Sequence, residues 1–147
     1  KSVTRSALWC ILRIFGTKPK QQPPSMLPLL KLLAHYGLHF VAPYFLAGLW
    51  PQRSRLRVYL LLLATMAIDL DHLLVRPIFD PERCSVGFHL LHSWPFVLLY
   101  VLLCVLPYER LGWPWWLRVL GVGLCFHILT DWQDFVLWRL LDGRLSL

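Results

Sequence analysis

Ten ionisable side chains lie within four long apolar segments, and this feature limits what the chain can fold into more than any other. A carboxylate at the centre of a membrane helix costs roughly 2.5–3.5 kcal/mol, and a buried charge needs a partner in any apolar setting. One bound cation would compensate many of these groups at once. The ten are all six histidines and four of the acids: His35, His39, Asp69, Asp71, His72, His89, His92, His127, Asp131 and Asp134.

The composition is that of a membrane protein. Of 147 residues, 57% are hydrophobic and 16% are charged, whereas about 45–50% apolar is usual for soluble domains. The apolar segments cover residues 27–50, 56–75, 88–106 and 113–141, and each is close to or above the roughly 20 residues that cross a bilayer as a helix. We therefore predict an all-α, polytopic membrane protein with four transmembrane helices.

The N-terminal part is predicted to be a separate arm. Residues 1–26 form an arm and linker, and residues 27–147 form the four-helix transmembrane domain. Residues 7–16 are apolar but contain Arg13 and lack a small-residue cleavage site. This stretch is typical of a short interfacial helix rather than of a signal peptide.

The charge distribution predicts the orientation and the partners. The net charge is +7, and more Lys and Arg residues flank the N-terminal side of the predicted spans than the other side. The positive-inside rule therefore places both termini in the cytoplasm. The basic residues are scattered over loops, which favours membrane lipids as partners and excludes a nucleic-acid-binding stripe.

The ten ionisable residues are expected to converge in one leaflet. His35 and His39 lie in the first half of the first span, and the aspartates of the second span lie at its far end. Because consecutive spans alternate in direction, these groups, the histidines that begin the third span and those late in the fourth all reach the same side. Spacings of three and four residues also place His35 with His39, Asp69 with His72, His89 with His92, and His127 with Asp131 and Asp134 on shared helical faces. On an ideal helix, Asp71 points in a different direction from Asp69. Asp134, nearest the C-terminal boundary, is expected either to belong to the cluster or to be solvated.

The chemistry of this set predicts a metal site. Imidazole with carboxylate suits zinc first, with manganese or iron as alternatives, and the set contains no thiolate. Ten candidates are enough for two ions. Asp71 is expected to hold a neighbouring histidine or to act with His92 as a catalytic acid or base. The predicted metal ligands are His35, His39, Asp69, His72, His89, His127 and Asp131.

Three motifs carry a resemblance to a known family. They are Asp69-Leu70-Asp71-His72, the segment from Gly87 to Ser93 with its paired histidines, and His127-x-x-x-Asp131. Together with His35-x-x-x-His39, they resemble a family of small bacterial inner-membrane proteins described as membrane-bound metal-dependent hydrolases, one branch of which is labelled LexA-binding. The resemblance covers roughly residues 30–135. It implies a metal site, a hydrolytic activity and an inner-membrane location.

Four functions stay open from the sequence. The first is a metal-dependent hydrolase that acts on a lipid or amphiphilic ester or phosphoester at headgroup depth. The second is a non-enzymatic accessory subunit of a larger membrane complex. The third is a haem or chlorophyll binder, which the neighbouring carboxylates disfavour because they are costly beside an apolar macrocycle. The fourth is ion or proton transport.

Overall fold

The computed structural model describes residues 27–76, 78 and 83–141, and every regular element in this part is a helix. The all-α prediction is confirmed. The arm of residues 1–26, with its predicted interfacial helix, lies outside the described residues. The α-helices are α1 (Leu27–Tyr36), α2 (Ala42–Leu46), α3 (Arg55–Ala64), α4 (Trp94–Val105), α5 (Tyr108–Leu111) and α6 (Trp116–Leu141).

Three stretches of π-helix or 3-10 helix extend these α-helices. A π-helical turn, Gly37–Val41, joins α1 to α2, and a short 3-10 turn over Ala47–Leu49 follows α2. A longer 3-10 helix, Thr65–Leu74, continues α3. The chain therefore runs as one helical segment over residues 27–49 and as another over residues 55–74.

One helical segment of the described residues is long and apolar enough to cross a membrane. It is Leu29–Leu49, with 21 residues. The α4 helix is apolar but has only 12 residues. The α6 helix has 26 residues, but four charged side chains interrupt it. Four membrane spans thus stay a prediction, because the charges and turns that build the polar cluster also shorten or interrupt the apolar helices.

The third predicted span begins later than the sequence indicated. The helix begins at Trp94, with Pro95 in its first turn, where a missing N–H costs nothing. Residues 83–93 form a series of turns, in which Gly87 has φ +83° and its N–H donates to the His92 carbonyl at 2.8 Å. The prediction that His89 and His92 share a helical face is therefore wrong, since both lie in these turns.

The 3-10 helix determines which aspartate is buried. Thr65, Ile68 and Asp71 are its buried residues, and their three-residue spacing matches the three residues per turn of a 3-10 helix. Asp71 therefore points into the protein. Asp69 lies on a different side of the same helix and its side chain is 41% exposed.

The α6 helix packs against both α3 and α4, and two glycines bring it close. A Cβ at Gly121 would lie 2.7 Å from Leu103 Cβ on α4, and one at Gly123 would lie 2.7 Å from Thr65 Cγ2. Two apolar cores flank α6. One is formed by Ile68, Cys84, Val86, Tyr100 and Ile128, and the other by Ala47, Val58, Leu62 and Val119.

We expect Gly121→Ala to destabilise the fold. The added methyl would meet Leu103 Cβ and the Leu103 carbonyl carbon, 3.0 Å away, and the latter is backbone that cannot turn aside. Overpacking of this kind costs about 1–3 kcal/mol, which outweighs the gain of about 1 kcal/mol in helix propensity. Thermal unfolding followed by circular dichroism should show a lower midpoint.

The matched control for this prediction is Gly37→Ala. A Cβ at Gly37 would have no atom within 4 Å among the described residues. The midpoint of this variant should therefore stay level or rise. Equal shifts of the unfolding midpoint in Gly121→Ala and Gly37→Ala would contradict the close approach of α6 to α4.

Candidate metal centre

Four ligand atoms from three parts of the chain lie close together. They are Asp69 Oδ1, His92 Nε2, His127 Nε2 and Asp131 Oδ2, and such a set can hold a metal ion because all four atoms lie within 4.8 Å of one another. His127 Nε2 is 3.1 Å from Asp69 Oδ1 and 3.6 Å from Asp131 Oδ2. His92 Nε2 is 3.6 Å and 3.2 Å from the same two oxygens. We call these four residues the central set.

Three local features place the four members of the central set. Asp69 lies on the 3-10 helix after α3, and His92 lies in the turns before α4. His127 and Asp131 are four residues apart on α6 and therefore share a face. His92 and His127 are fully buried, and the half-exposed Asp69 leaves the set open on one side.

The donor atoms of the central set fit a divalent ion. With ligand bonds of about 2.0–2.1 Å, the corners of a tetrahedral zinc site lie about 3.3–3.4 Å apart. The four nitrogen–oxygen distances, from 3.1 to 3.6 Å, lie on both sides of that value. His92 Nε2 is buried and makes no hydrogen bond, although two carboxylate oxygens are nearby. A shared cation would satisfy His92 Nε2, which hydrogen bonding leaves without a partner.

Asp71 fixes the orientation of His92. Its Oδ2 lies 3.1 Å from His92 Nδ1 and accepts the Leu91 backbone N–H at 2.7 Å. Tyr100 Oη in turn donates to the Leu91 carbonyl at 3.0 Å. A carboxylate on the far nitrogen of a histidine is the usual support of a metal-binding imidazole. With Nδ1 held in this way, His92 directs Nε2 into the central set.

Asp131 also contacts a second group of possible ligands. His35, His39 and Asp131 can place three donor atoms together, and His39 Nε2 lies 3.3 Å from Asp131 Oδ1. One oxygen of Asp131 therefore faces His39 while the other faces the central set. His35 Nδ1 contacts Asp134, whose other oxygen accepts the Trp138 indole N–H at 3.0 Å. A carboxylate in the position of Asp131 can bridge two ions.

The remaining predicted residues lie at the edge of the cluster. His72 Nδ1 is 3.2 Å from Asp71 Oδ1, and its Nε2 is 3.2 Å from Ser85 Oγ. Asp71, His72 and His92 form the third possible ligand group. His89 is buried and stacks on His72 with ring centroids 3.9 Å apart. Among the described residues, His89 is the one predicted ligand that joins none of the three groups.

Comparison with known proteins assigns the chain to a family. A family model described as "Family of unknown function (DUF6122)" matches residues 29–138. The chain belongs to this family. The DUF6122 match includes all ten ionisable residues of the cluster. No curated protein and no solved structure gave a significant match. Since the DUF6122 description names no activity, the resemblance to metal-dependent hydrolases stays a prediction.

Two contacts of this DUF6122 protein were not expected from the sequence. Asp134, the acid nearest the end of its apolar segment, was expected to be either part of the cluster or solvated, and the structure pairs it with His35. Its spacing of three residues from Asp131 on one helix is the signal that favours the first choice. The contact between Ser85 and His72 had no such signal, because it depends on the turns of residues 83–93. The catalytic roles expected of Asp71 and His92 stay predictions.

Proposed function

We propose that this DUF6122 protein is an integral protein of the bacterial inner membrane whose polar cluster binds a divalent ion and hydrolyses a lipid or amphiphilic ester or phosphoester. The single observation that carries the metal site is the central set, with two imidazole nitrogens and two carboxylate oxygens within 4.8 Å. Zinc is the first candidate ion, and manganese or iron would also accept these ligands.

The apolar outer surface supports the location in a membrane. Leu98 and Val105 on α4 are each 70% exposed, and Phe45 on α2 is 67% exposed. Soluble monomers rarely expose continuous apolar patches of this kind. In this proposal, four helical segments cross or enter the bilayer, and the Lys and Arg distribution places both termini in the cytoplasm.

The residues around the central set would have different roles in hydrolysis. A bound divalent ion supplies Lewis acidity and activates water near neutral pH. Asp71 orients His92, and the open side at Asp69 gives access to a substrate. Leu70 and Leu73 beside Asp69 are largely exposed, so the rim of the opening is apolar. This rim favours a substrate with an acyl chain and a polar head over a small soluble ester.

Metal analysis of the full chain purified in detergent tests the first half of the proposal. We expect about one divalent ion per chain in the central set, with a second if Asp131 bridges two ions. Elemental analysis without stoichiometric metal would overturn the proposal. A Soret band in the optical spectrum would show instead that the protein binds haem.

An activity assay tests the second half. The metal-loaded protein should release product from a short-chain lipid ester or phosphodiester, lose this activity in a chelator, and regain it when the metal is returned. If the protein binds metal but hydrolyses neither substrate class, the proposed hydrolase activity is wrong. Such a result would favour a structural metal in an accessory subunit.

A further inference from the structure

A cavity lined by charged and aromatic side chains lies at the opposite end of the helices from the metal centre. It has a volume of about 510 Å³ and lies between the turn after α2 and the loop from α5 to α6. This size is within the range of about 300–1,000 Å³ that is usual for ligand pockets. Arg118, which lines it, is nine residues before His127 on α6, so the two sites are about 13 Å apart along that helix.

Two guanidinium groups and one carboxylate line the cavity. They belong to Arg53, Arg118 and Glu109. In the described part of the chain, none of the three has an oppositely charged group within 4.0 Å. Arg118 donates from Nη2 to the Leu106 carbonyl at 2.8 Å, but its buried Nε has no hydrogen-bond partner. The cavity therefore offers two positive groups and one negative group to a ligand.

Aromatic rings hold both arginines in place. The Arg53 guanidinium stacks over Trp115 at 4.8 Å, and the Arg118 guanidinium stacks over Tyr108 at the same distance. Trp50 and Trp113 also line the cavity. Tryptophan and tyrosine concentrate at the membrane interface, where one side of the ring is apolar and the other is wet. The cavity thus has the composition expected at headgroup depth.

We propose that this cavity binds a phospholipid headgroup that carries a phosphate and a primary amine. The phosphate would bind Arg53 and Arg118, since guanidinium forks match phosphate oxygens, and the ammonium would face Glu109. Leu102 and Val105, which are exposed at the C-terminal end of α4 shortly before Tyr108 in the chain, would contact the acyl chains. Inorganic phosphate has the same anionic chemistry, but it would leave Glu109 and the apolar surface unused. This inference rests on the proposed membrane location and not on the metal centre.

Lipid binding to the delipidated full chain tests the proposal. Native mass spectrometry should show tighter binding of phosphatidylethanolamine than of phosphatidylglycerol or phosphatidylcholine. Arg53→Gln with Arg118→Gln should weaken this binding by about tenfold or more, because charge-assisted hydrogen bonds to the phosphate are lost. Glu109→Gln should remove the preference for phosphatidylethanolamine while phosphate-dependent binding remains.

The matched control is Arg57→Gln with Arg110→Gln. These arginines are exposed near the same end of the molecule but do not line the cavity, so the control loses the same net charge and should bind lipid normally. Arg53→Gln alone provides a second variant, because Arg53 is exposed and its replacement is compatible with folding. Equal loss in test and control variants would overturn the site. If inorganic phosphate displaces the bound lipid, or if the protein shows no preference for the amine headgroup, the assignment to this lipid class is wrong.

Discussion

Asp131→Asn is expected to remove the metal ion from the purified protein. Asp131 places one oxygen 3.2 Å from His92 Nε2 and the other 3.3 Å from His39 Nε2, so it contributes to two of the three ligand groups. Asparagine keeps the size of the side chain but loses the charge and one oxygen. Loss of supporting residues alone typically lowers metal affinity 10–100-fold, so loss of a ligand should lower it by about 100-fold or more. Metal content after dialysis against graded chelator concentrations measures the change.

Asp134→Asn is the matched control for this prediction. It removes the same charge from the same helix, one turn further on, but Asp134 is not part of the central set. Its contacts are to His35 and Trp138, so this variant should keep the ion of the central set. If Asp131→Asn keeps its metal while Asp134→Asn loses it, the central set is not the metal site.

Asp71→Asn is expected to weaken metal binding without removing any atom of the central set. The Asp71 carboxylate accepts from Leu91 N–H at 2.7 Å and lies 3.1 Å from His92 Nδ1. Asparagine gives up the negative charge that strengthens the imidazole as a ligand, and if its amide nitrogen takes the place of Oδ2, an N–H faces both donors. We expect metal affinity to fall about 10–100-fold. Competition with a chromophoric chelator measures it.

Tyr100→Phe tests whether the effect of Asp71 acts through His92. Tyr100 Oη donates to the Leu91 carbonyl in the same turn, and it does not contact the imidazole. This variant should lose about 0.5–1.5 kcal/mol of stability from one hydrogen bond and keep nearly the affinity of the unchanged protein. Equal losses of affinity in Asp71→Asn and Tyr100→Phe would show that the turn as a whole matters rather than the orientation of His92.

Helical spacing made part of this site predictable from the sequence. His127 and Asp131 are one turn apart in an uninterrupted helix, so their shared face follows from the helical repeat alone. The all-α class followed from long apolar segments without strand alternation. Asp71 was expected to differ from Asp69 in direction, and the 3-10 helix supplies the reason, since three residues per turn bury Thr65, Ile68 and Asp71 together.

The turns before α4 were beyond this kind of prediction. Phe88, Leu90 and Leu91 extend the apolar composition of α4 toward the N-terminus, so the hydrophobic pattern does not mark where the helix begins. The boundary comes from Pro95 in the first helical turn and from the positive φ of Gly87, which allows its N–H to reach the His92 carbonyl. The direction of His92 depends on these backbone angles, which no residue spacing encodes. The cavity at the opposite end was not predicted either, because its charged residues come from three separate parts of the chain: the turn with Arg53, α5 with Glu109 and the start of α6 with Arg118.

The order of the ligands along the chain has a consequence for how the protein is made. His127 and Asp131 lie on α6, the last described helix, and His127 contacts Asp69, 58 residues earlier. A nascent chain that has emerged only as far as α4 therefore has half of the central set, with Asp69 and His92 near each other and no second half to share a cation. The complete central set therefore forms only after α6 has docked, and capture of the ion by all four residues cannot come before that step.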